Sequence, residues 1–427
     1  MQFYLGLDFG TSGARAIAID SQGTIHSEQS CTFDRDRVRQ PACWKQALFE
    51  LIRSIPENVR SQICCIAIDG TSATVLLCDP QGQPLLPPLM YDDSGDRTFL
   101  EQLHAVVPEG HCILSASSSL VKLLTFQSQR EFANARYFLH QADWLAYLLH
   151  GQLGISDYHN SLKLGYDPAT ESYPDWFASP VLDNVRSLLP RIVPPGTIVG
   201  KISAEVSSVL GLPEYCKICA GTTDSIAAFL ASGMTRPGGA VTSLGSTLVL
   251  KLLSTHRIDR SEYGIYSHRL GPLWLVGGAS NTGGAVLNHF FSVRELNELS
   301  QRINPEKASS LQYYPLLKPG ERFPINDPDL QPCLDPRPED AIEFLHGLLE
   351  SLSRIESEGY RLLQQFGATP LQQVLTAGGG AKNEAWRSIR ERYLKVPVRS
   401  SIQEQAAYGT AQLARQGIMV NSSGSTG

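Results

Sequence analysis

The chain has 427 residues, 42% hydrophobic and 18% charged, with a formal net charge of −6. That is a globular composition at a length of roughly two to three domains, and the acidic balance argues against a general nucleic-acid or anionic-membrane binder. No apolar run approaches the roughly 20 residues of a bilayer span, and Met1-Gln2-Phe3-Tyr4 enters a strand with no secretory signal before it, so a soluble cytoplasmic protein with a small-molecule partner is expected, a homodimer being allowed.

The first elements in the chain carry the most chemistry. Phe3–Phe9 and Ala14–Asp20 read as strands joined by Gly10-Thr11-Ser12-Gly13. Under the two-residue alternation of a strand, Tyr4, Gly6 and Asp8 share one face, which puts Asp8 at the carboxyl end beside the turn. Glycine permits positive torsions and close approach, so the N–H groups from Gly10 to Ala14 are expected to converge on an anion, with the Thr11 and Ser12 hydroxyls as further donors. A carboxylate beside a polyphosphate needs a divalent cation between them, so Asp8 reads as a ligand of magnesium or of its water. The hairpin therefore points to phosphate transfer or hydrolysis from ATP.

A weaker third run lies near Thr24–Glu28, followed by a helix at Trp44–Ser54 and strands Ile63–Asp69 and Thr74–Asp79. This order predicts a mixed α/β sheet opened by an antiparallel meander. Apolar spacing predicts helices over Arg97–Val107, Ser118–Phe132 and His140–His150. Tyr158–Trp176, rich in Tyr, Asp, Pro and Gly, reads as a long irregular connection of the kind that carries substrate contacts.

A second α/β pattern starts near Lys217. Ile218-Cys219-Ala220 runs into Gly221-Thr222-Thr223-Asp224 and a helix over Ser225–Ala231. Strands Ala240–Leu244, Thr247–Leu253 and Leu273–Gly277 follow, then a long amphipathic helix near Asp340–Phe366, strand Gln373–Ala377, Gly378-Gly379-Gly380, and a helix beginning near Asn383. Ser400–Gly417 returns as a final helix, and Asn421–Gly427 is a polar tail, flexible or foreign to the fold. The boundary falls at Thr235-Arg236-Pro237-Gly238-Gly239, giving domains 1–236 and 237–420.

The nine cysteines, an odd number scattered through apolar segments, read as reduced core residues. Cys216-Lys217-Ile218-Cys219 has the spacing of a zinc half-site, but no second pair accompanies it, and in a strand its thiols face opposite sides.

Two further glycine turns follow strands. Thr242-Ser243-Leu244-Gly245-Ser246-Thr247 repeats the first hairpin without its acid, and reads either as an ordinary turn or as a second phosphate contact. In Gly378-Gly379-Gly380-Ala381-Lys382-Asn383 the glycines let a ribose or flat ring approach the backbone at a helix start. Trp386, one turn on, either covers an adenine face or is buried packing. Asp224, at a strand-to-helix junction, is either a helix N-cap or the base that takes a proton from an alcohol attacking a γ-phosphate. No Gly-x4-Gly-Lys-Ser/Thr occurs and no Gly-x-Gly-x-x-Gly follows the first strand, which removes P-loop and Rossmann readings. Asp8-Phe9-Gly10 spells a protein-kinase triplet, but no glycine-rich loop precedes it and no His-Arg-Asp exists.

In this ordered set the chain resembles the FGGY carbohydrate kinases, within the superfamily of hexokinase, actin and the chaperone ATPases. Leu5–Asp20 is similar to the family's first phosphate motif, Gly221–Ala227 to its catalytic-aspartate segment, Val241–Leu248 to its second phosphate motif and Leu375–Trp386 to its adenosine motif. The resemblance implies two ribonuclease H-like α/β domains that close across a cleft over ATP, Mg2+ and a sugar. It implies Asp224 as general base, Asp8 as the magnesium-side carboxylate, and Thr11, Ser12 and Gly13, with Gly10, at the γ-phosphate. Gly245, Ser246 and Thr247 would touch the inner phosphates, and Gly379, Gly380, Asn383 and Trp386 the nucleoside.

For the sugar, the resemblance implies Thr71, Ser72 and Asp93. The family's Trp-Asn-Asp-x-Arg motif reads Met90-Tyr91-Asp92-Asp93-Ser94-Gly95 here, so its Trp, Asn and Arg are missing. Lys163 is either a second sugar contact or merely solvated. A short xylulokinase-like branch in photosynthetic organisms resembles the chain in length and in Ile68-Asp69-Gly70-Thr71-Ser72. That implies a small ketopentose, D-ribulose ahead of D-xylulose. An ATPase of the superfamily with no sugar acceptor is the rival reading.

Overall fold

The computed structural model describes residues 1–34 and 37–423, without the side chains of 420–423. The chain divides into two compact units: Met1–Ala231 joined by the chain's end from Gln405, and Ser232–Glu404. Among the described residues, no helix is long and apolar enough to cross a membrane.

In the first unit, β1 (Phe3–Phe9), β2 (Gly13–Ile19) and β3 (Ile25–Thr32) form the expected antiparallel meander. Helices α1 (Pro41–Ser54) and α2 (Glu57–Arg60) then lead to β4 (Ile63–Gly70), parallel to β1. Every residue of β4 is buried, as a central strand covered on both faces requires. The predicted partner strand after it does not join this sheet. Thr71–Thr74 turns the chain, with Thr74 N–H donating to Thr71 O at 3.2 Å and Ala73 at φ 62°. β5 (Val75–Cys78) consequently pairs with β6 (Tyr137–His140) in a separate two-stranded sheet.

Between β5 and β6, α3 (Arg97–His104) and α4 (Ser119–Phe126) are shorter than the apolar spacing predicts. Pro108 disfavours helix at Val107, and Gln127-Ser128-Gln129 offers no apolar face to bury. α5 (Gln141–His150) starts where His140 N–H donates to the Asp143 carboxylate at 2.9 Å, and ends at Gly151 with φ 75°. β7 (Ile155–Asp157) pairs with β8 (Arg191–Val193). The connection between them contains a buried 3-10 turn at Asn160–Leu164, so it is more ordered than its composition suggests. After β9 (Ile198–Lys201) and α6 (Ala204–Leu210), β10 (Lys217–Cys219) and β11 (Thr222–Thr223) both pair parallel with β4, and α7 (Asp224–Ala231) follows. The sheet order is β3-β2-β1-β4-β10-β9, with β11 also on β4. Cys216 and Cys219 are buried core thiols, and Cys219 Sγ lies 3.2 Å from Cys65 Sγ.

The second unit repeats the plan. β12 (Gly239–Leu244) and β13 (Leu248–Ser254) form a hairpin. β14 (His268–Leu270) and β15 (Leu273–Ser280) extend it on one side, while β16 (Gln373–Ala377) and β17 (Val398–Ser400) run parallel on the other. Helices α8 (Gly284–Phe290), α9 (Val293–Ser300), α10 (Ala341–Gln365) and α11 (Glu384–Leu394) complete this unit. α10 buries Phe344, Leu345, Leu348, Leu352, Ile355 and Leu363 along one stripe, the i, i+3, i+4 spacing of a core-facing helix.

The last helix, α12 (Ala406–Ser423), differs from expectation in three ways. It starts six residues later than Ser400, because Val398–Ser400 is a strand. It continues through Asn421–Ser423, so the predicted tail is helical there, and 424–427 lie outside the described residues. It also belongs to the first unit, whereas the sequence grouped it with the second. Ala407, Ala411 and Ala414 pack on Tyr4, Ile17, Ala67 and Cys219, and such small side chains allow a helix to lie close on a sheet.

Candidate active site

Three parallel strands of the first unit end on one edge, and their register brings the acids together. Asp8 on β1 is the pairing partner of Asp69 on β4, and Asp69 is in turn the partner of Thr222 on β11. Asp224 opens α7 two residues later, with its carboxylate accepting the Ser225 N–H at 2.7 Å. Asp69 is fully buried and accepts a hydrogen bond from Thr410 on α12. The Asp8 and Asp69 carboxyls lie close enough for each to shift the other's protonation. Burial first, and then the Asp8 charge, hold the Asp69 carboxyl well above the usual range, with Asp224 adding to the effect. Burial likewise raises Asp8, opposed by the contact with Asp69 and by the Arg15 charge. Such a pair shares a proton unless a cation neutralises it.

Asp69 was not singled out from the sequence. Its signal is there: it is the only acid in a strand buried at all positions, and buried carboxylates without a cationic partner are rare outside functional sites.

The turn expected to hold phosphate, Gly10-Thr11-Ser12-Gly13, is built differently from expectation. Thr11 and Ser12 are exposed at its tip, and Ser12 O accepts Phe33 N–H at 2.9 Å. The Gly10 N–H, however, donates to Gly13 O at 3.0 Å, so it closes the hairpin rather than facing an anion. Neither Gly10 nor Gly13 has positive φ. Glycine is needed at 13 for another reason: a Cβ there would lie 2.1 Å from Cys31 O on the neighbouring strand.

The residues expected at the sugar follow β4 in the chain. Thr71 is buried, and its hydroxyl is shared between Thr74 Oγ1 at 2.5 Å and Gln141 Oε1 at 3.2 Å. Ser72, half-buried, follows it. Thr74 Oγ1 accepts Tyr91 N–H at 3.0 Å, tying the Met90–Asp93 loop to this strand end. Lys122, fully buried on α4, donates to Ala73 O at 2.8 Å and Met90 O at 2.5 Å, joining the same two segments. Burial lowers that ammonium to about 8.

Asp93 faces protein. Arg39 grips both of its carboxylate oxygens, at 2.8 and 3.0 Å, and its Oδ2 also accepts Met90 N–H at 2.7 Å. These bonds, Arg39 first, hold Asp93 below the ordinary carboxylate range. An arginine 54 positions away thus occupies the acid that the motif resemblance assigned to sugar. Lys163 is half-buried in the 3-10 turn, and its charge is felt by Lys122.

In the second unit, β12 and β16 are parallel neighbours, Ser243 pairing with Ala377, so the Gly245 and Gly378 turns lie side by side at one sheet end. The Gly245-Ser246-Thr247 turn is fixed by its carbonyls, Gly284 N–H donating to Gly245 O at 2.8 Å and Ala285 N–H to Ser246 O at 3.0 Å. Glu321, buried, braces the adjoining turn through Asn281 N–H at 2.7 Å and Tyr314 Oη at 3.0 Å. Gly378 needs its freedom, having φ 88° with the Leu244 carbonyl 2.8 Å from where a Cβ would stand. Gly379 is exposed, with nothing within 4 Å of a Cβ, and Gly380 is half-buried beside it.

Asn383 caps α11, accepting Trp386 N–H at 3.0 Å while its Nδ2 donates to Ser300 Oγ at 2.8 Å. Trp386 is a core residue: it is 2% exposed, and its indole N–H donates to Ser353 Oγ at 3.2 Å. Of the two readings of this tryptophan, the structure takes buried packing, and no face of the ring is open to a base. Among the described residues no group of three or more His, Cys, Asp or Glu side chains forms a ready metal site. An Mg2+ held by one or two carboxylates and substrate phosphates needs none, and the oxygen donors of Asp8 suit such a hard cation.

Comparison with known proteins agrees along the whole chain. Residues 3–231 match the model for the N-terminal domain of the FGGY family of carbohydrate kinases, and residues 240–416 that for its C-terminal domain. A xylulose kinase of Escherichia coli is 25% identical over 411 residues, covering 90% of this chain and 84% of the relative. A ligand-bound xylulose kinase from Lactobacillus acidophilus has a similar structure, with TM-score 0.83 at 17% identity over 99% of this chain and 90% of that one. A gluconate kinase from the same organism aligns with the same TM-score, 0.83, at 17% identity over 98% and 90%. One fold thus accompanies different sugars in these relatives, so the fold does not choose among them.

Proposed function

The chain belongs to the FGGY family of carbohydrate kinases, a family of phosphotransferases that use ATP, and we propose that it phosphorylates a hydroxyl of a small ketopentose, D-ribulose ahead of D-xylulose. The observation that supports a sugar other than that of the xylulose kinase relatives is the Asp93–Arg39 pair. The sugar-motif acid is bound to an arginine from another loop, and the motif's Trp and Asn are Tyr91 and Asp92 here. D-xylulose is the second reading, favoured by the names of the relatives.

In this reading the Asp224 carboxylate accepts the proton of the attacking sugar hydroxyl. As the new O–P bond forms, the bond between the γ-phosphorus and the β–γ bridging oxygen breaks, and ADP leaves with that oxygen. Thr11, Ser12 and Gly13 hold the γ-phosphate. Gly245, Ser246 and Thr247 face the inner phosphates, and Gly379, Gly380 and Asn383 lie against the nucleoside. Asp8 holds Mg2+, which supplies charge neutralisation on the phosphates when bound. Ser72 and Lys163 contact the sugar, while Thr71 and Asp93 orient the elements around it.

A coupled ADP-release screen over pentuloses, hexoses, polyols, gluconate and glycerol tests this. The expected result is the highest kcat/KM with D-ribulose. A higher value with D-xylulose transfers the assignment to the second reading, and ADP release with no dependence on any acceptor supports an ATPase.

A further inference from the structure

Two buried amide side chains in the first unit, on Gln141 and Asn160, each have one end hydrogen-bonded and the other without a partner among the described residues. Gln141, 1% exposed at the start of α5, accepts Thr71 N–H at 3.1 Å and the Thr71 hydroxyl at 3.2 Å through Oε1. Exchanging its oxygen and nitrogen would set an NH2 against the Thr71 N–H, so Nε2 is the end that faces away. That Nε2 is buried and has no hydrogen-bond partner among the described residues. Asn160, also 1% exposed, donates from Nδ2 to Asp157 Oδ2 at 2.6 Å. With the amide in this orientation Oδ1 is the end left over, and it too is buried without a partner among the described residues.

Both residues are tied to the acidic strand end. Gln141 clasps Thr71, two residues after Asp69. His159, next to Asn160, contacts Thr222 Oγ1 at 2.8 Å, and Thr222 is the pairing neighbour of Asp69. The two are also joined to each other. His140, preceding Gln141, contacts Ser156 Oγ at 3.3 Å, and Ser161, following Asn160, donates to that same oxygen at 3.2 Å. One buried polar layer therefore holds an unanswered donor and an unanswered acceptor, linked through Thr71 and through the His159–Thr222 contact to the strand end that carries Asp69. Leaving buried polar groups unpaired costs the full desolvation of each. Sugar hydroxyls, each both donor and acceptor, answer both.

We propose that Gln141 and Asn160 are specificity-determining contacts to the sugar, the Gln141 amide donating to one sugar oxygen and the Asn160 carbonyl accepting from a hydroxyl. The inference rests on the sugar-kinase reading and deepens it, since a site built to hydrogen-bond a hydroxyl rejects the analogue that lacks it far more strongly than an apolar pocket does.

The test is steady-state kinetics on the full chain with the best acceptor from the screen and its monodeoxy analogues. The variants are Gln141→Glu, which keeps the acceptor for Thr71, Gln141→Met, and Asn160→Ala, each with a thermal melt. The expected result is a sugar KM raised roughly 10- to 100-fold, with the KM for ATP within about twofold. One deoxy analogue that is poor for the wild type should be penalised little further in the matching variant. Unchanged sugar KM in folded variants overturns the contacts, as does a deoxy penalty that simply adds to the mutational one. A lowered melting temperature with unchanged KM assigns the amides a structural role and overturns them equally. A wild type that phosphorylates no sugar overturns the kinase reading itself, and these contacts with it.

Discussion

Thr410, on the last helix, donates a hydrogen bond to Asp69 at the end of β4, across 341 positions of sequence. The bond meets one oxygen of a fully buried carboxyl whose other oxygen, Oδ1, has no hydrogen-bond partner among the described residues. The last helix is therefore part of the floor beneath the Asp8–Asp69 pair.

Thr410→Val removes that donor and leaves Asp69 Oδ2 buried and unpaired. The expected loss is about 1–3 kcal/mol of stability, read as a lower denaturant midpoint at unchanged slope. Thr410→Ser, which restores the hydroxyl, should recover most of it. A Val variant as stable as the wild type counts against the bond.

Asp224→Asn keeps the size of the side chain and removes the carboxylate proposed as the base. Turnover should fall roughly 10²- to 10⁴-fold, with nucleotide affinity by calorimetry near normal. Unimpaired sugar phosphorylation by this variant rejects Asp224 as the proton acceptor.

Asp8→Ala should abolish magnesium-dependent turnover while leaving the fold intact, because Asp8 is half-buried at a strand end, where truncation opens no large core cavity. The measurement is activity across a magnesium titration. A wild-type titration curve from the variant removes Asp8 from the metal's coordination.

Trp386 separates stacking from packing. As a core residue, its replacement in Trp386→Ala should cost about 3–5 kcal/mol, while the folded fraction keeps its KM for ATP. An unchanged melting temperature with a raised KM for ATP would instead restore the ring to the nucleotide.

His150 gives a pH signature. Burial lowers its imidazole to about 4, and its Nδ1 accepts Gln152 N–H at 3.0 Å, a role only the neutral ring can fill. The unfolded value is about 6.5, so between pH 6.5 and 4 the unfolded chain binds the additional proton. The sign follows: this contribution to stability is fully present above about 6.5 and is lost as pH falls toward 4. Chemical denaturation of wild type and His150→Gln at pH 4, 5, 6 and 7 should show a shallower acid slope in the variant. Parallel slopes reject the assignment.

Local periodicity and turn chemistry carried much of this architecture. The β1–β2 hairpin, the buried run of β4, the stripe of α10 and the strand before Gly378 are all visible in the letters, since each depends on residues two, three or four positions apart. The same local logic placed Asp8 at a strand end and Asp224 at a helix start. It failed where distant residues decide. Alternation cannot say that β5 abandons the first sheet, because the cause is a turn gripped by Lys122 from α4. Nor can a motif say that Asp93 is bound to Arg39, or that Trp386 is covered by the core of its unit.

The sequence by itself determined the family and the reaction class, because those rest on contiguous motifs in a set order. Only the tertiary structure decided what surrounds each acid. Asp69 joins Asp8 through strand register, Thr410 reaches it from the far end of the chain, and Gln141 and Asn160 are left with unmet amides in the layer beside them. Register, burial and hydrogen-bond satisfaction are properties of neighbours in space, and in this protein those neighbours lie tens to hundreds of residues apart.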